Sequence, residues 1–331
     1  MNGVYVMLYP SEKYTLKPGD QFRLGDLEFR LERYNTGVSE YAKLPRGSDD
    51  RYKIVHDLGI DEHMKCSYFA VYDGHGGPYC SEYLRIYLHK VLKKKLTDRF
   101  DGIKNTKNMA LSIKNIFEQT FYEVDNNFRF NNHPRDLGGI DINLSTSKIP
   151  MNDVGSKAKK CGSTAVWVFI IGDRIYWANA GDSRAVLCSN GKAIELSWDH
   201  NLARDDEKKR VKDQGGLEFG KVHGFLSVTR AFGDCNFKFI NEFKALEYKS
   251  LIVTPEIMEH IIDPFKDEFI VIGSDGLFDE MQSQQVVDYI IGKYDDTPES
   301  ITQDLLSTVI DIREKADDIT IMLIKLQSHL K

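Results

Sequence analysis

Cysteine is scarce in this sequence and never closely paired. The 331 residues contain five cysteines, an odd number, and none of them forms a C-x-x-C pair. This pattern argues against a disulfide framework and against zinc held by cysteine. We therefore expect reduced thiols and an intracellular protein, cytoplasmic or nuclear. The five positions are Cys66, Cys80, Cys161, Cys188 and Cys235.

Long hydrophobic runs and concentrated positive charge are also missing. No apolar stretch approaches the roughly 20 residues of a membrane-spanning helix, and the N-terminus lacks the basic and apolar regions of a signal peptide. The formal net charge is −6, and the one tight basic run is Lys93 to Lys95. We expect a monomer that binds neither a membrane nor nucleic acid.

Internal repeats and low-complexity linkers are absent as well, so nothing in the composition divides the chain. A hydrophobic fraction of 41% and a charged fraction of 28% are typical of a globular protein with a sizeable core. Residues 14–34 alternate around Gly25 and Asp26, which predicts a hairpin. The sequence thus favours an N-terminal extension over residues 1–40 and one large domain over residues 41–331.

Strand patterns come in runs and helix patterns come in pairs. This order differs from the strict β-α-β alternation of a parallel fold. It favours an α+β class: a sandwich of two antiparallel β-sheets flanked on both sides by pairs of antiparallel helices. Residues 130–160 are polar and predict a loop. The predicted helices are about Pro78 to Leu96, Asn108 to Phe128, 203–214, Ser283 to Tyr294 and Glu299 to Lys315.

The stretch YFAVYDGHGG, residues 68–77, changes character halfway. Its first half is apolar and aromatic, typical of a buried strand, and its second half holds an aspartate, a histidine and three glycines. One interpretation is an ordinary turn, since Asp-Gly is common turn chemistry. The other is that the strand delivers Asp73 and His75 to a site where the backbone must be accessible.

Further aspartates stand at the ends of other predicted strands. If these strands are neighbours, their carboxylates repel each other, and a divalent cation relieves the repulsion. Oxygen ligands without cysteine favour Mg²⁺ or Mn²⁺. For Asp182 a simple hairpin turn is an equal alternative, and most Gly-Asp pairs, including Gly233-Asp234, are expected to be turns. The strand-end carboxylates are Asp49, Asp50, Asp73, Asp182, Asp275, Asp317 and Asp318.

Taken in order, these segments resemble the metal-dependent, type 2C (PPM) protein serine/threonine phosphatases. The matching text is FAVYDGHGG, GSTAVWVFI, ANAGDSRAVL, DHNLARDDEKKRV, GFLSVTRAFGD, VTPEI, SDGLFD and ADDITIMLI, which lie between about Asp49 and Lys325. The resemblance implies the sandwich fold and a phosphatase that acts on phosphoserine and phosphothreonine in phosphorylated protein substrates.

The resemblance also implies roles for single residues. Asp73 would bridge two Mg²⁺ or Mn²⁺ ions, and the Gly74 carbonyl would bind one of them. Asp275 and Asp317 would complete one metal position. Asp50, with Asp49, would support the other ion directly or through water. Asp182, with Asp275 or Asp279, matches the weaker third metal position of some members. In this mechanism a metal-bridging hydroxide attacks phosphorus, and His75 is the general acid. The sequence has no Cys-x5-Arg loop, which is consistent because no covalent phospho-enzyme is needed.

Two features depart from the family pattern. The first motif usually has an arginine followed by Glu-Asp, whereas this chain reads Arg46-Gly47-Ser48-Asp49-Asp50. Arg46 is the predicted phosphate-binding arginine, and Arg51 is the alternative. Within residues 1–40, the text YTLKPGDQFRLGDLEFRLE faintly resembles the end of a forkhead-associated domain. Forty residues are too few for that domain, so an extra hairpin is favoured over a truncated remnant.

Three functions remain open from the sequence. The first is an active phosphoprotein phosphatase. The second is a pseudophosphatase, in which the same fold serves as a binding or scaffold module without turnover. The third is a hydrolase of small phosphate esters. The presence of Asp50, Asp73, Asp275 and Asp317 favours catalysis over a scaffold, which could have lost them.

Overall fold

The computed structural model describes residues 21–24, 27–30, 34–43, 47–61, 64–104, 106, 108–130, 160–238, 240–241, 246–247, 249–314 and 316–326. The strands are β1 (Gln21–Leu24), β2 (Leu27–Arg30), β3 (Tyr34–Tyr41), β4 (Arg51–Val55), β5 (Cys66–Tyr72), β6 (Gly74–His75), β7 (Gly162–Ser163), β8 (Ala165–Ile171), β9 (Arg174–Ala180), β10 (Arg184–Ser189), β11 (Lys192–Glu195), β12 (Leu217–Glu218), β13 (Lys221–Val222), β14 (Phe232–Gly233), β15 (Ile240–Asn241), β16 (Leu246–Glu247), β17 (Glu256–Ile261), β18 (Asp267–Gly273) and β19 (Ile319–Leu326). The helices are α1 (Tyr79–Thr97), α2 (Phe100–Ile103), α3 (Met109–Arg129), α4 (Asp205–Asp213), α5 (Asp275–Phe278), α6 (Ser283–Ile291) and α7 (Pro298–Ile312), with a 3₁₀ turn at Cys235–Phe237.

Two five-stranded antiparallel sheets form the centre of the molecule. The first sheet has the strand order β17-β9-β8-β5-β4, and the second has the order β11-β10-β18-β19-β3. A short three-stranded sheet, β14-β7-β6, extends beyond the end of β5. The predicted sandwich of two antiparallel sheets is confirmed.

Each central strand buries both of its faces, which explains why β5 and β8 read as apolar runs rather than alternating patterns. Phe69 and Val71 of β5 pack between the sheets against residues such as Ile270. The neighbouring Tyr68 and Tyr72 point the other way and belong to the core beneath α1 and α3. Helices α6 and α7 cover the outer face of the second sheet in the same manner. The four layers are therefore helix pair, sheet, sheet and helix pair.

Local sequence accounts for the helix positions. In α3 the apolar face predicted from the spacing is the buried face, with Phe117 packed edge-to-face on Trp167 at a centroid distance of 5.1 Å. Helix α7 begins after Thr297, whose hydroxyl accepts a hydrogen bond from the Ser300 amide at 3.2 Å, with Pro298 in the first turn.

The second sheet begins before the boundary predicted at residues 40 and 41. Strand β3 starts at Tyr34 and pairs with β19 along its whole length, from Tyr34 opposite Leu326 to Tyr41 opposite Ile319. The end of the predicted extension is thus the edge strand of the sandwich. Among the described strands, β1 and β2 pair with each other and with no other strand. Residues 1–20, the predicted turn at residues 25 and 26, and residues 131–159 of the predicted loop lie outside the described residues.

Within the described part of the chain, no helix is both long and apolar enough to cross a membrane. All five cysteines are buried and unbridged.

Candidate active site

Asp50 and Asp73 come together through the pairing of two neighbouring strands. In the first sheet Arg51 of β4 lies opposite Tyr72 of β5. Asp50 immediately precedes Arg51, and Asp73 immediately follows Tyr72, so both carboxylates leave the sheet at the same end. Antiparallel register thus joins two positions that are 23 residues apart in sequence, from residue 50 to residue 73.

The second sheet brings further carboxylates to this end of the sandwich. Strand β18 ends at Gly273, opposite Ile321 of β19. Asp275 opens the short helix α5 two residues later, and Asp317 and Asp318 stand just before β19 begins. The strand-end aspartates of the second sheet therefore lie at the same end of the sandwich as Asp50 and Asp73.

Asp182 also belongs to this edge, and the alternative of a hairpin turn is wrong for it. Strands β9 and β10 flank residue 182 but lie in different sheets, so they do not pair with each other. The chain crosses from the first sheet to the second at this point, where Thr164 and Ser183 share a side-chain hydrogen bond of 2.7 Å. The same Thr164 hydroxyl accepts from the Asp73 amide at 3.1 Å.

Asp73, Asp182 and Asp275 form the centre of the cluster. Each offers one carboxylate oxygen, and the three oxygens lie within 4.8 Å of one another. Burial, together with the neighbouring carboxylates, raises the pKa of Asp73 and of Asp182 well above the usual range. Burial and the nearby Asp317 raise the pKa of Asp275 to about 6. The fold therefore concentrates negative charge that a cation would relieve.

The two carboxylate oxygens of Asp50 differ in their hydrogen bonding. Its Oδ2 accepts a hydrogen bond from the Thr320 hydroxyl at 2.9 Å, while its buried Oδ1 meets no hydrogen-bond donor in the described part of the chain. Burial raises the pKa of this carboxyl to about 7, and Asp318 and Asp275 add to the effect. A buried acceptor without a donor is costly, so this oxygen is available to a ligand such as a cation.

Asp317 and Asp318 are neighbours in sequence but have different surroundings and different contacts. Asp318 is buried and accepts hydrogen bonds from the backbone amides of Lys43 and Asp49, at 2.8 and 2.7 Å. It thereby ties the segment before β4 to the start of β19. Asp317 is about half exposed, and its Oδ1 lies 2.5 Å from the Lys43 ammonium.

The remaining predicted ligands lie close by. Gly74 begins β6 and pairs with Ser163. The Asp49 carbonyl accepts a hydrogen bond from the Ser81 hydroxyl at 2.5 Å. Asp279 ends the turn that Asp275 begins, since its amide donates to the Asp275 carbonyl at 2.8 Å, and its charge helps to raise the pKa of Asp275.

The two candidate arginines differ in what the structure shows of them. Arg46 lies outside the described residues. Arg51 binds Glu82 at 2.8 Å, and the same guanidinium donates to the carbonyls of Ser48 and Asp50 at 2.7 and 2.6 Å. Its contacts in the structure are therefore those of a group that braces the loop before β4.

His75 has a partner that sequence reasoning missed. Its Nε2 lies 2.7 Å from Oδ2 of Asp234, a carboxylate that is 1% exposed. Burial acts to lower the pKa of His75, but the Asp234 carboxylate outweighs it, so the pKa is raised. The sequence predicts a plain turn at Gly233-Asp234, and a separation of 159 positions between His75 and Asp234 leaves no local pattern that would link them.

Comparison with known proteins identifies relatives along most of the chain. The family model described as protein phosphatase 2C matches residues 38–317. A probable protein phosphatase 2C of Caenorhabditis elegans is 34% identical over 258 residues, which are 76% of this chain and 62% of that protein. Protein phosphatase 2C homolog 1 of Schizosaccharomyces pombe is 31% identical over 252 residues, which are 74% of this chain and 60% of that protein. The chain thus spans less than two thirds of the length of these two relatives.

Solved structures agree on the fold. The serine-threonine phosphatase 2C of Toxoplasma gondii superimposes with a TM-score of 0.66 at 17% identity, covering 89% of this chain and 95% of that one. A sex-determining protein of C. elegans gives the same TM-score at 19% identity, covering 91% of this chain and 67% of that one.

Proposed function

The chain belongs to the protein phosphatase 2C family, and from this premise we propose that it hydrolyses phosphoserine and phosphothreonine in proteins with the help of divalent metal ions. The observation that carries the proposal is the meeting of Asp73, Asp182 and Asp275 within 4.8 Å. Three carboxylates at this separation, with raised pKa values, favour a cation-binding site rather than a set of surface charges.

The donor set fits two Mg²⁺ or Mn²⁺ ions. All the candidate ligands are oxygens, as these hard cations prefer, and the unpartnered Oδ1 of Asp50 supplies a further one. We propose that Asp73 would contribute to both ions and that the Gly74 carbonyl would bind one of them. Asp275 and Asp317 would complete one metal position, and Asp50 with Asp49 would support the other. Asp182 and Asp279 would hold a weaker third.

Bound in pairs, such ions neutralise phosphate charge and lower the pKa of a water toward neutrality. The protein itself positions the metal ligands and supplies a proton. The rigid strand ends hold the carboxylates in register, and His75 carries the proton that a departing seryl or threonyl oxygen needs. Arg46 remains the proposed phosphate-binding arginine, because Arg51 is engaged with Glu82.

The test measures phosphate release from phosphoserine and phosphothreonine peptides in Mn²⁺, Mg²⁺ or excess EDTA. We expect turnover with either metal and none in EDTA. Full turnover in EDTA would refute the metal mechanism. Metal binding without turnover of any phosphoester would instead favour a pseudophosphatase that serves as a scaffold. Turnover confined to small esters would favour a hydrolase of small phosphate esters.

We further propose that the chain acts inside the cell as a monomer. The intracellular location is proposed from the five buried cysteines, which form no disulfide and suit a reducing compartment. Sedimentation at micromolar concentration tests the oligomeric state, and a dimer would contradict it.

A further inference from the structure

A three-stranded sheet holds His75 at a fixed place beside the carboxylate cluster. Strand β6 carries His75, β7 lies in the middle, and β14 lies on the far side. His75 is paired with Gly162, and Gly162 is paired with Gly233. Asp234 follows directly after Gly233. The contact between His75 and Asp234 therefore spans the middle strand.

The middle strand permits this contact only because residue 162 is glycine. A Cβ placed on Gly162 would lie 2.1 Å from Oδ2 of Asp234 and 2.2 Å from Nε2 of His75. Both distances are far inside van der Waals contact. The imidazole and the carboxylate thus meet in the space that a side chain at residue 162 would occupy.

Asp234 is itself held firmly from the backbone. It adopts the left-handed conformation, with φ of 48°, and its amide donates to the Cys161 carbonyl at 2.9 Å. The preceding Gly233 amide donates to the buried carboxylate of Asp125 on α3 at 2.8 Å. A non-glycine residue in this conformation is uncommon and persists where surrounding contacts fix it. The loop therefore presents the carboxylate of Asp234 in one orientation.

We propose that Asp234 is a positioning residue that fixes the ring orientation and tautomer of His75 for proton delivery. The proposal rests on the phosphatase function above. Nε2–H donates to Asp234, which leaves Nδ1 as the ring nitrogen that carries the transferable proton. As the P–O bond breaks, its electron pair stays on the leaving oxygen, and that oxygen takes the proton from Nδ1. His75 is then neutral and still donates from Nε2.

The leaving group separates this role from a merely structural one. A seryl or threonyl alkoxide is a poor leaving group and needs the proton, whereas p-nitrophenolate leaves readily without it. A variant that disturbs only proton delivery should therefore affect the two substrates unequally. A variant that loosens the metal ligands or the fold should slow both.

The first variant is Asp234→Asn, which keeps the size of the side chain and tolerates the left-handed backbone. We expect kcat on a phosphothreonine peptide to fall by roughly 10–100-fold with KM within about twofold, and kcat on p-nitrophenyl phosphate to fall less than about threefold. The double variant with His75→Gln should be no slower than His75→Gln alone, because the two residues act as one unit. Equal losses on both substrates, or additive losses, would overturn the proposal.

The second variant is Gly162→Ala, which keeps both partners but separates them. We expect the same selective loss as for Asp234→Asn. Its control is Gly102→Ala, since a Cβ on Gly102 meets nothing within 4 Å.

The control for the loss of a buried aspartate in Asp234→Asn is Asp267→Asn. Asp267 is 1% exposed and also pairs with a histidine at 2.7 Å, but it lies at the opposite end of β18 from the cluster. Asp267→Asn should lower stability without any difference between the substrates.

A measurement that does not need turnover completes the test. Long-range ¹H–¹⁵N correlation spectra of histidine-labelled protein report which ring nitrogen is protonated. In alkaline buffer, where the ring is neutral, we expect His75 to carry its single proton on Nε2 in the full chain and to show a mixed or reversed state in Asp234→Asn and Gly162→Ala. An unchanged spectrum in both variants would overturn the proposal. If the unmodified chain hydrolyses no phosphoester, the proposed function fails, and the spectra still decide whether Asp234 fixes the tautomer.

Discussion

The ammonium group of Lys43 lies 2.5 Å from Oδ1 of Asp317, a carboxylate that the family pattern implicates in metal binding. The backbone amide of the same lysine donates to Asp318 at 2.8 Å. Lys43 thus contacts the segment before β19 at two points: its backbone amide binds Asp318, and its ammonium group pairs with Asp317. A cation bound by Asp317 would compete with the second contact.

Replacing Lys43 with glutamine should lower the metal concentration needed for half-maximal activity. An ion pair this exposed is worth about 0–1 kcal/mol, which corresponds to a shift of at most about fivefold. Titration of activity with Mn²⁺ measures it. The matched control is Lys293→Gln, because Lys293 pairs with Asp304 at 2.6 Å with the same exposed fractions, 37% and 46%. A higher Mn²⁺ requirement in Lys43→Gln would contradict competition between Lys43 and a cation at Asp317.

Asp275→Asn should lower kcat by several orders of magnitude while the fold stays intact. The amide keeps the shape of the carboxyl group but cannot supply the negative charge that divalent ions require. The measurements are phosphopeptide turnover at saturating Mn²⁺ and the circular dichroism spectrum. Asp213→Asn, on the exposed surface of α4, is the control and should be fully active. Near-normal kcat in Asp275→Asn would remove this residue from the site.

In EDTA the protein should lose stability as the pH rises from 5 to 8. Burial raises the folded-state pKa of Asp50 to about 7 and that of Asp275 to about 6, whereas both ionise near pH 4 when unfolded. The folded state then binds more protons than the unfolded state over this range, so the free energy of unfolding falls with increasing pH. His75, whose pKa is also raised, acts in the same direction.

Thermal unfolding in EDTA checks this trend, and we expect Tm to fall by roughly 5–10 °C between pH 5 and pH 8. Asp275→Asn should flatten the trend and raise Tm at pH 8, since one repelling charge is gone. Mn²⁺ should restore Tm at pH 8 in the unmodified chain. A Tm that is constant over this pH range in EDTA would contradict the raised pKa values.

Removing residues 1–33 should preserve activity, whereas removing residues 1–40 should not. The longer deletion takes away most of β3, which pairs with β19 and lies under α7. A Cβ on Gly37 would lie 2.2 Å from the Pro298 backbone carbon, so helix and strand are in direct backbone contact there. Soluble yield and Tm of the two truncated proteins measure the difference. Full stability after removal of residues 1–40 would show that the edge strand is dispensable.

Gly37→Ala should destabilise the protein by more than 1 kcal/mol for the same reason, because the contact lies between two backbones and neither can give way as a side chain would. Urea unfolding measures this free energy, with Gly102→Ala as the control. A ΔG of unfolding within 0.5 kcal/mol of the unmodified protein would indicate that α7 can shift without penalty.

Residue order alone is enough to place the helices and strands and to indicate oxygen ligands for a metal ion. Apolar runs and helical spacing set where strands and helices form, because burial of one face or of both faces leaves a direct trace in residue order. The face of α3 that contains Phe117 and Phe121 was predictable in this way. Carboxylates at several predicted strand ends likewise indicate a hard cation.

Which of these groups come into contact depends on the three-dimensional arrangement of the strands. Asp182 follows a strand and precedes another, as in a hairpin, yet the two strands lie in different sheets. Asp234 has the local pattern of a turn, yet it contacts His75 across the side-chain-free Gly162. Such contacts depend on strand order and on the space between elements. Both are set by long-range packing, which a local pattern of residues does not encode.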